Sequence, residues 1–166
     1  MEHLPETIDY VDADDHVVAQ GPRGQAPGAG LHHRAAATIL LAQLDWPGSH
    51  VLVYQRPSTA RVYPGHHDVL VGGSPRAGES YRQAAARELA EELGIRPPLS
   101  EALRLRTTSP VGPYHLTVHL AELHEPLRPD PREIPHHELL PLNQVLAVPP
   151  RPFIPTGLDV LRRLFT

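Results

Sequence analysis

No cysteine occurs in the 166 residues. Disulfides, thiolate metal sites and cysteine nucleophiles are excluded together. Lysine is missing as well: all 15 cations are arginine. Schiff-base chemistry and the lysine of a phosphate-binding P-loop go with it. Long apolar runs are also lacking. The longest, Ala35 to Ala42, falls well short of the ~20 residues that span a bilayer, so no membrane partner is expected. The opening MEHLPETIDY is polar and acidic and shows no signal-peptide pattern, which points to a cytoplasmic location. Excess positive charge is absent too. The net charge of −4 argues against a broad basic surface, so duplex nucleic acid is not an expected partner.

Proline, by contrast, is abundant at 20 of 166 residues, against a usual share of about 5%. Stiff connections and few, proline-bounded helices are expected. Hydrophobic residues at 40% and charged residues at 20% are ordinary for a globular chain. The length suits one domain over residues 1–166.

Residues 7–19 read as two extended segments around a turn at Asp12–Asp15, and 20–30 as a Gly/Pro loop. Residues 35–43 suit a buried strand. Asp45-Trp46-Pro47-Gly48 marks a turn, with 51–56 as the second arm of a hairpin and Trp46 as a packing residue. An irregular loop, 57–66, precedes a short strand at 68–71 that ends at Gly72-Gly73. One strong helix follows over 81–93. Ser80 with Gln83 makes a capping box at its start, and Gly94-Ile95 a left-handed stop at its end. Strands are expected at 101–108 and 114–123, a proline-rich connection at 126–136, a short helix within 137–147 and a terminal helix at 155–165. Strands mixed with two or three helices predict an α/β (α+β) sandwich.

The informative segment is 73–95, GSPRAGESYRQAAARELAEELGI. On a helical wheel with Glu88 at 0°, Glu92 falls near roughly +40° and Glu91 near roughly −60°. Leu89, Leu93, Ala86 and Ala90 fall on another side, predicted to be the buried one, while Ala84 leaves space on the acidic face. Like charges at these spacings destabilise a helix by about 0.2–0.5 kcal/mol per pair. Arg87 alone cannot offset Glu79, Glu88, Glu91 and Glu92. A hard divalent cation such as Mg²⁺ or Mn²⁺ resolves the repulsion and keeps waters for a phosphate-bearing ligand. From the helix alone, a solvated acidic face is the competing reading.

The same residues resemble the Nudix box, written G, five residues, E, seven residues, R-E-U-x-E-E-x-G-U, with U a bulky apolar residue. Gly73, Glu79, Arg87, Glu88, Leu89, Glu91, Glu92, Gly94 and Ile95 match every specified position. A chance match is on the order of one in a billion per window, taking ordinary residue abundances. The resemblance implies a Nudix fold, a mixed β-sheet sandwiched between helices. It implies Mg²⁺-dependent hydrolysis, with Mn²⁺ able to substitute, of a diphosphate linkage in a nucleoside diphosphate derivative or related small phosphorylated molecule. It implies Glu88, Glu91 and Glu92 as metal ligands, with the Gly73 carbonyl, and Glu79 with Arg87 as the pair that orients the acids. Glu88 ranks first as general base, ahead of Glu91, Glu122, Glu133 and Glu138. The family often forms homodimers, but no interface signature is readable here.

Weaker similarity extends over most of the chain. His33-Arg34, Gln55-Arg56-Pro57, Tyr63-Pro64-Gly65, Asp68 and the ending PFIPTGLDVLRRLF resemble the branch containing isopentenyl-diphosphate isomerase and its hydrolase relatives. The isomerase needs a cysteine before the box. Here Val71, Gly72 and Gly73 stand in that stretch, Ser74 where its metal-binding histidine would fall and His115 where its second acid would fall. A hydrolase is therefore expected rather than an isomerase. A catalytically silent nucleotide- or protein-binding sensor is the alternative from another class, though a silent domain has no reason to keep repelling acids. Arg34 and Arg56 are candidate phosphate contacts, and His67 and His115 candidate pocket residues. Tyr63, Tyr81 and Tyr114 are read as core packing rather than base stacking. The histidine pairs 32–33, 66–67 and 136–137 have poor spacing for a zinc site, because adjacent residues do not share a face.

Overall fold

The long apolar run becomes the axis of the molecule. The computed structural model describes residues 6–43 and 48–166. In chain order the elements are β1 (Thr7–Val11), β2 (Val17–Pro22), β3 (His33–Gln43), β4 (Ser49–Gln55), β5 (His67–Asp68), β6 (Val71–Gly73), α1 (Tyr81–Leu93), β7 (Ser100–Ser109), β8 (Gly112–Glu122), β9 (His136–Pro141), α2 (Leu142–Ala147) and α3 (Pro155–Phe165). β1 and β2 form a separate hairpin, and the other seven strands make one mixed sheet in which β3 runs parallel to β8 while its other pairings are antiparallel.

Alternation along β3 splits the core in two. Ala36 and Leu40 face α1, where Ala84, Ala85, Leu89 and Leu93 are buried. Ala37 and Ile39 face α2 and α3, with Val145, Val160 and Leu161. The sheet between helices is thus the architecture expected. Each fully buried leucine contributes about 1.5–3 kcal/mol, so Leu89 and Leu93 are the main apolar anchors of α1.

Several elements depart from the sequence reading. The short helix expected within 137–147 is α2, but the strand before it was not expected: 136–141 pairs with β4, with Leu139 opposite Leu52. The strand placed at 68–71 is two short strands, and Gly72 and Gly73 are the last two residues of β6, paired with β3. β2 runs on into residues 20–22 of the expected loop. The turn at Asp45–Pro47, with Trp46, lies outside the described residues, but the β3–β4 hairpin it joins is present in register.

Asp68 carries a pH dependence. Its carboxyl is buried against the start of α3 at Gly157, which has no side chain to displace it. Tyr54 donates its hydroxyl proton to the Leu70 carbonyl at 2.5 Å. The same hydroxyl lies 3.4 Å from Asp68 Oδ2, toward which it also donates, and Asp68 Oδ1 accepts the Val69 N–H at 2.8 Å. Burial pushes this carboxyl from 3.8 up to about 7. A raised value in the fold means stability is fully present below the unfolded value and falls as pH rises from about 4 to about 7. Asp68→Asn, which copies the protonated form, should remove that decline and raise the thermal midpoint by several degrees above pH 7. Thermal melts at pH 5 and pH 8 check this, and an equal pH slope in both proteins contradicts it.

Candidate active site

α1 is held at both ends by local chemistry. Ser80 Oγ accepts from Gln83 N–H and the Gln83 side chain accepts from Ser80 N–H, the reciprocal box read from the sequence. At the other end Gly94 is left-handed (φ 68°) and its N–H reaches the Ala90 carbonyl. The proline-rich connection completes this end. Arg128 N–H bonds the Leu93 carbonyl at 2.7 Å and Asp130 N–H the Glu92 carbonyl at 2.8 Å, so the last two carbonyls of α1 are satisfied.

The wheel read from the sequence is displaced by about a quarter turn. Ala84 and Ala85 are buried while Ala86 is exposed. The buried arc therefore runs from Ala84 to Leu93 and includes the Glu88 and Glu92 directions. Side-chain exposure is 13% for Glu88, against 51% for Glu91. The acids are not a solvated face: two of the three turn inward, and only Glu91 stays at the surface.

Gly73 explains how Glu88 fits. A Cβ on Gly73 would stand 2.6 Å from Glu88 Oε1, so the bare backbone makes the seat for this carboxylate. Arg87 then ties the group together. Its Nε and Nη2 donate to the two oxygens of Glu79, both at 2.9 Å. Nη1 donates to Glu88 Oε1 at 3.1 Å and Glu91 Oε2 at 3.2 Å. Nη2 also reaches the Ser74 carbonyl at 3.3 Å. All five guanidinium N–H donors are accounted for.

The electrostatics follow. Hydrogen bonds from Arg87 hold the Glu79 carboxyl below its usual range. Glu88 is pushed up, chiefly by burial, with Arg87 opposing. Glu92 is pushed up to about 9 by burial and by the charges of Glu88, Glu133 and Glu91. A carboxylate so placed lacks enough positive charge nearby. Among the described residues, the group of three whose ligand atoms all lie within 4.8 Å of one another is Asp12, Asp14 and His16, on the β1–β2 turn. Asp12 there already accepts the N–H groups of Asp14 and His16 at 2.9 Å each, which makes it a turn former. Glu88 and Glu91 instead share one nitrogen of Arg87.

The donor set suits a hard divalent ion. It is all oxygen, it includes an inward carboxyl whose charge is uncompensated, and Gly73, with no side chain, lets bare backbone lie against Glu88.

The other candidates separate. Arg56 donates its Nε to the Val62 carbonyl at 2.9 Å, and its charge lowers the Glu92 and Asp68 carboxyls, a contribution smaller than that of their burial. Arg34 is committed elsewhere, to Asp15 at 2.7 Å and to the Tyr81 ring at 5.3 Å. His67 Nδ1 meets the Pro152 carbonyl, and His115 Nε2 the Asp12 carbonyl. None of these contacts is to Glu88, Glu91 or Glu92, although Arg34 lies over Tyr81 of the box helix itself. Arg23, an exposed loop residue, adds a charge effect on Glu88 and His33 that is secondary to their burial. Of the acids outside the box, Glu133 is the one whose charge reaches Glu92, whereas Glu122 pairs with His124. Tyr81 and Tyr114 pack as expected, Tyr114 stacked on His33 with ring centroids 5.0 Å apart.

Arg87→Lys tests the fork. A lysine has three donors and no planar geometry, so it cannot serve Glu79 bidentately and reach two more acids. Turnover should fall by about 10–100-fold with little change in thermal midpoint. Near-wild-type rates for this variant would show that charge alone suffices.

A mixed sheet between helices, with a glycine strand leading into a carboxylate-rich helix, is a Nudix-type architecture. The chain belongs to the NUDIX domain family, whose model matches residues 31–164. It is 33% identical over 162 residues to an uncharacterized Nudix hydrolase of Pseudomonas aeruginosa, covering 95% of this chain and 92% of that protein. It is 44% identical over 94 residues to another from Streptomyces coelicolor, where the match covers 57% of this chain but spans about half, 50%, of the relative. Among solved structures, a Deinococcus radiodurans protein superposes with a TM-score of 0.79 at 22% identity, covering 97% of this chain and all of that one (100%). The NUDIX domain of Shewanella oneidensis NrtR, complexed with ADP ribose, superposes with a TM-score of 0.65 at 20% identity, covering 80% of this chain and 85% of that domain.

Proposed function

We propose that this protein is a Mg²⁺-dependent hydrolase of a diphosphate linkage in a nucleoside diphosphate derivative or a related small phosphorylated molecule. The observation that carries the reading is the inward set of acids: Glu88 seated on Gly73 and Glu92 half-buried beside it, with Glu79 and Glu91 braced by one arginine. Glu88, Glu91, Glu92 and the Gly73 carbonyl would hold the ion. When bound, Mg²⁺ or Mn²⁺ neutralises phosphate oxygens and makes a coordinated water more acidic.

The chain's own groups do the rest. Arg87 fixes the carboxylates so that little reorganisation is needed when substrate arrives. Glu88 accepts the proton of the attacking water, with Glu91 and Glu133 as the other bases in reach of the same cluster. Arg56 faces the departing phosphate, where a fixed positive charge favours the transition state over the bound substrate. Arg34, His67 and His115 are left out of this assignment because their partners lie elsewhere. With no cysteine before the box, hydrolysis is favoured over isomerisation in the branch that the sequence resembles.

The test is a panel of nucleoside di- and triphosphates, nucleotide sugars, dinucleotides and prenyl diphosphates, each with Mg²⁺ or Mn²⁺, read by phosphate-containing product. Release from one class, abolished by chelator, supports the reading. Tight nucleotide binding with no release from any substrate would instead make the protein a sensor. Conversion of isopentenyl diphosphate to its isomer would overturn it in another direction.

A further inference from the structure

We propose that Asp9, on the N-terminal hairpin, is a positioning residue for the Glu79–Arg87 pair and through it for the acids of α1; this rests on the hydrolase reading of that centre. The hairpin lies before residue 31, where the family match begins, yet it grips the loop that leads into the box helix. Three contacts, one after another along both segments, make the grip. Glu6 pairs with Arg76 at 3.0 Å, the Thr7 carbonyl accepts the Ala77 N–H at 3.0 Å, and Asp9 Oδ2 accepts the Gly78 N–H at 2.9 Å.

Asp9 is the inner one of the three. It is 6% exposed, its second oxygen accepts from Gln20 Nε2 at 2.8 Å, and Arg34 Nη1 stands 4.0 Å from Oδ2. Both carboxylate oxygens are therefore used, one inside the hairpin and one across to the loop. Gly78 has φ +79°, a backbone conformation that glycine adopts without strain and that other residues rarely do. That conformation turns its N–H toward Asp9. The next residue is Glu79, whose two oxygens take the Nε and Nη2 of Arg87. A path of fixed contacts thus runs from Asp9 through Gly78 and Glu79 to Arg87 and on to Glu88 and Glu91. Partners that orient metal ligands in this way are worth about 10–100-fold in metal affinity or activity.

The alternative is that the hairpin only packs, through Ile8, Tyr10 and Val11. Three variants of the full chain separate the two. Asp9→Ala removes both bonds. Gln20→Ala removes only the bond inside the hairpin. Asp9→Asn keeps an acceptor for Gly78 N–H and can donate to a turned Gln20 amide. Mn²⁺ titration by calorimetry should show binding weakened about tenfold in Asp9→Ala, with kcat lowered and KM for the diphosphate substrate little changed. Gln20→Ala and Asp9→Asn should bind Mn²⁺ as the wild type does. Wild-type Mn²⁺ affinity and kcat in a folded Asp9→Ala protein would overturn the proposal. If Asp9→Ala does not fold, the wild type decides. Coupling is reciprocal, so saturating Mg²⁺ should slow hydrogen exchange at the Ala77 and Gly78 amides. Equal exchange rates with and without Mg²⁺ would overturn it. A wild type that neither binds Mn²⁺ nor turns over any substrate fails the hydrolase reading itself. One that does both, beside an Asp9→Ala variant that matches it, fails the positioning role alone.

Discussion

Glu88→Gln and Glu92→Gln should each lower Mg²⁺-dependent turnover by about a hundredfold or more while the protein stays folded. The expectation follows from what each carboxylate touches. Glu88 lies on Gly73 and takes a hydrogen bond from Arg87 at 3.1 Å. A glutamine oxygen can keep that bond, so the shape survives, but the anionic oxygen offered to a cation is lost. Glu92 is the stronger case for an intact fold. Burial and three neighbouring carboxylates raise its carboxyl to about 9, so the charged form is already disfavoured without a cation. A neutral amide there costs the metal-free protein little. Circular dichroism and thermal melts in chelator should therefore match the wild type. The stabilisation that Mg²⁺ gives the wild type by binding the folded state should shrink in both variants. More than a tenth of wild-type turnover remaining in both would refute the ligand assignment.

Two adjacent glycines should answer the same substitution differently, one through stability and the other through turnover. Gly72→Ala should lower stability by about 3 kcal/mol, the upper range for overpacking, and shift the thermal midpoint down by roughly 6–12 °C for a chain of this size. A Cβ at 72 would overlap the Ala36 carbonyl and come within 2.7 Å of the Ala37 Cα. Those atoms belong to the partner strand, and backbone cannot yield without unpairing β6 from β3. Gly73→Ala meets a carboxylate instead, at 2.6 Å from Glu88 Oε1. A side chain can swing away, so the fold should survive with a small loss of stability. The cost falls on Glu88, which leaves its seat, and turnover should drop more than tenfold. Thermal melts and initial rates on the pair check both halves. The assignment of Gly73 to the acid centre fails if Gly73→Ala melts early yet works at the wild-type rate.

The box helix was legible because its signals are local. Ser80 with Gln83 sets the start, Gly94 the stop, and neither needs a partner far along the chain. The fork of Arg87 was readable for a related reason, since Glu88 and Glu91 lie within one turn of it and Glu79 only eight positions before. β9 was not legible. Leu139, Leu140, Leu142 and Val145 carry apolar spacing that suits one helix, but hydrogen bonding to β4, more than eighty residues earlier, holds 136–141 extended. The rotation of α1 was hidden for the same kind of reason. Which arc of the wheel is buried depends on how the helix sits on β3 and β6, and the two alanines at its start let it lie close with Glu88 and Glu92 turned inward.

Composition and local pattern by themselves determined the class of chemistry. With no thiol and no lysine amine, the functional groups available are carboxylates, arginines, histidines and hydroxyls, and one helix gathers three acids beside Arg87, with Glu79 in the loop just before it. Local order also set the caps and the glycine pair. Only the tertiary structure decided which acids face inward, which arginines reach them and what the hairpin holds. Those outcomes depend on contacts between residues distant in sequence, such as Asp9 with Gly78 and Tyr81 with Asp15. The free energy of such contacts comes from burial and charge in the assembled fold, and neither exists along the extended chain.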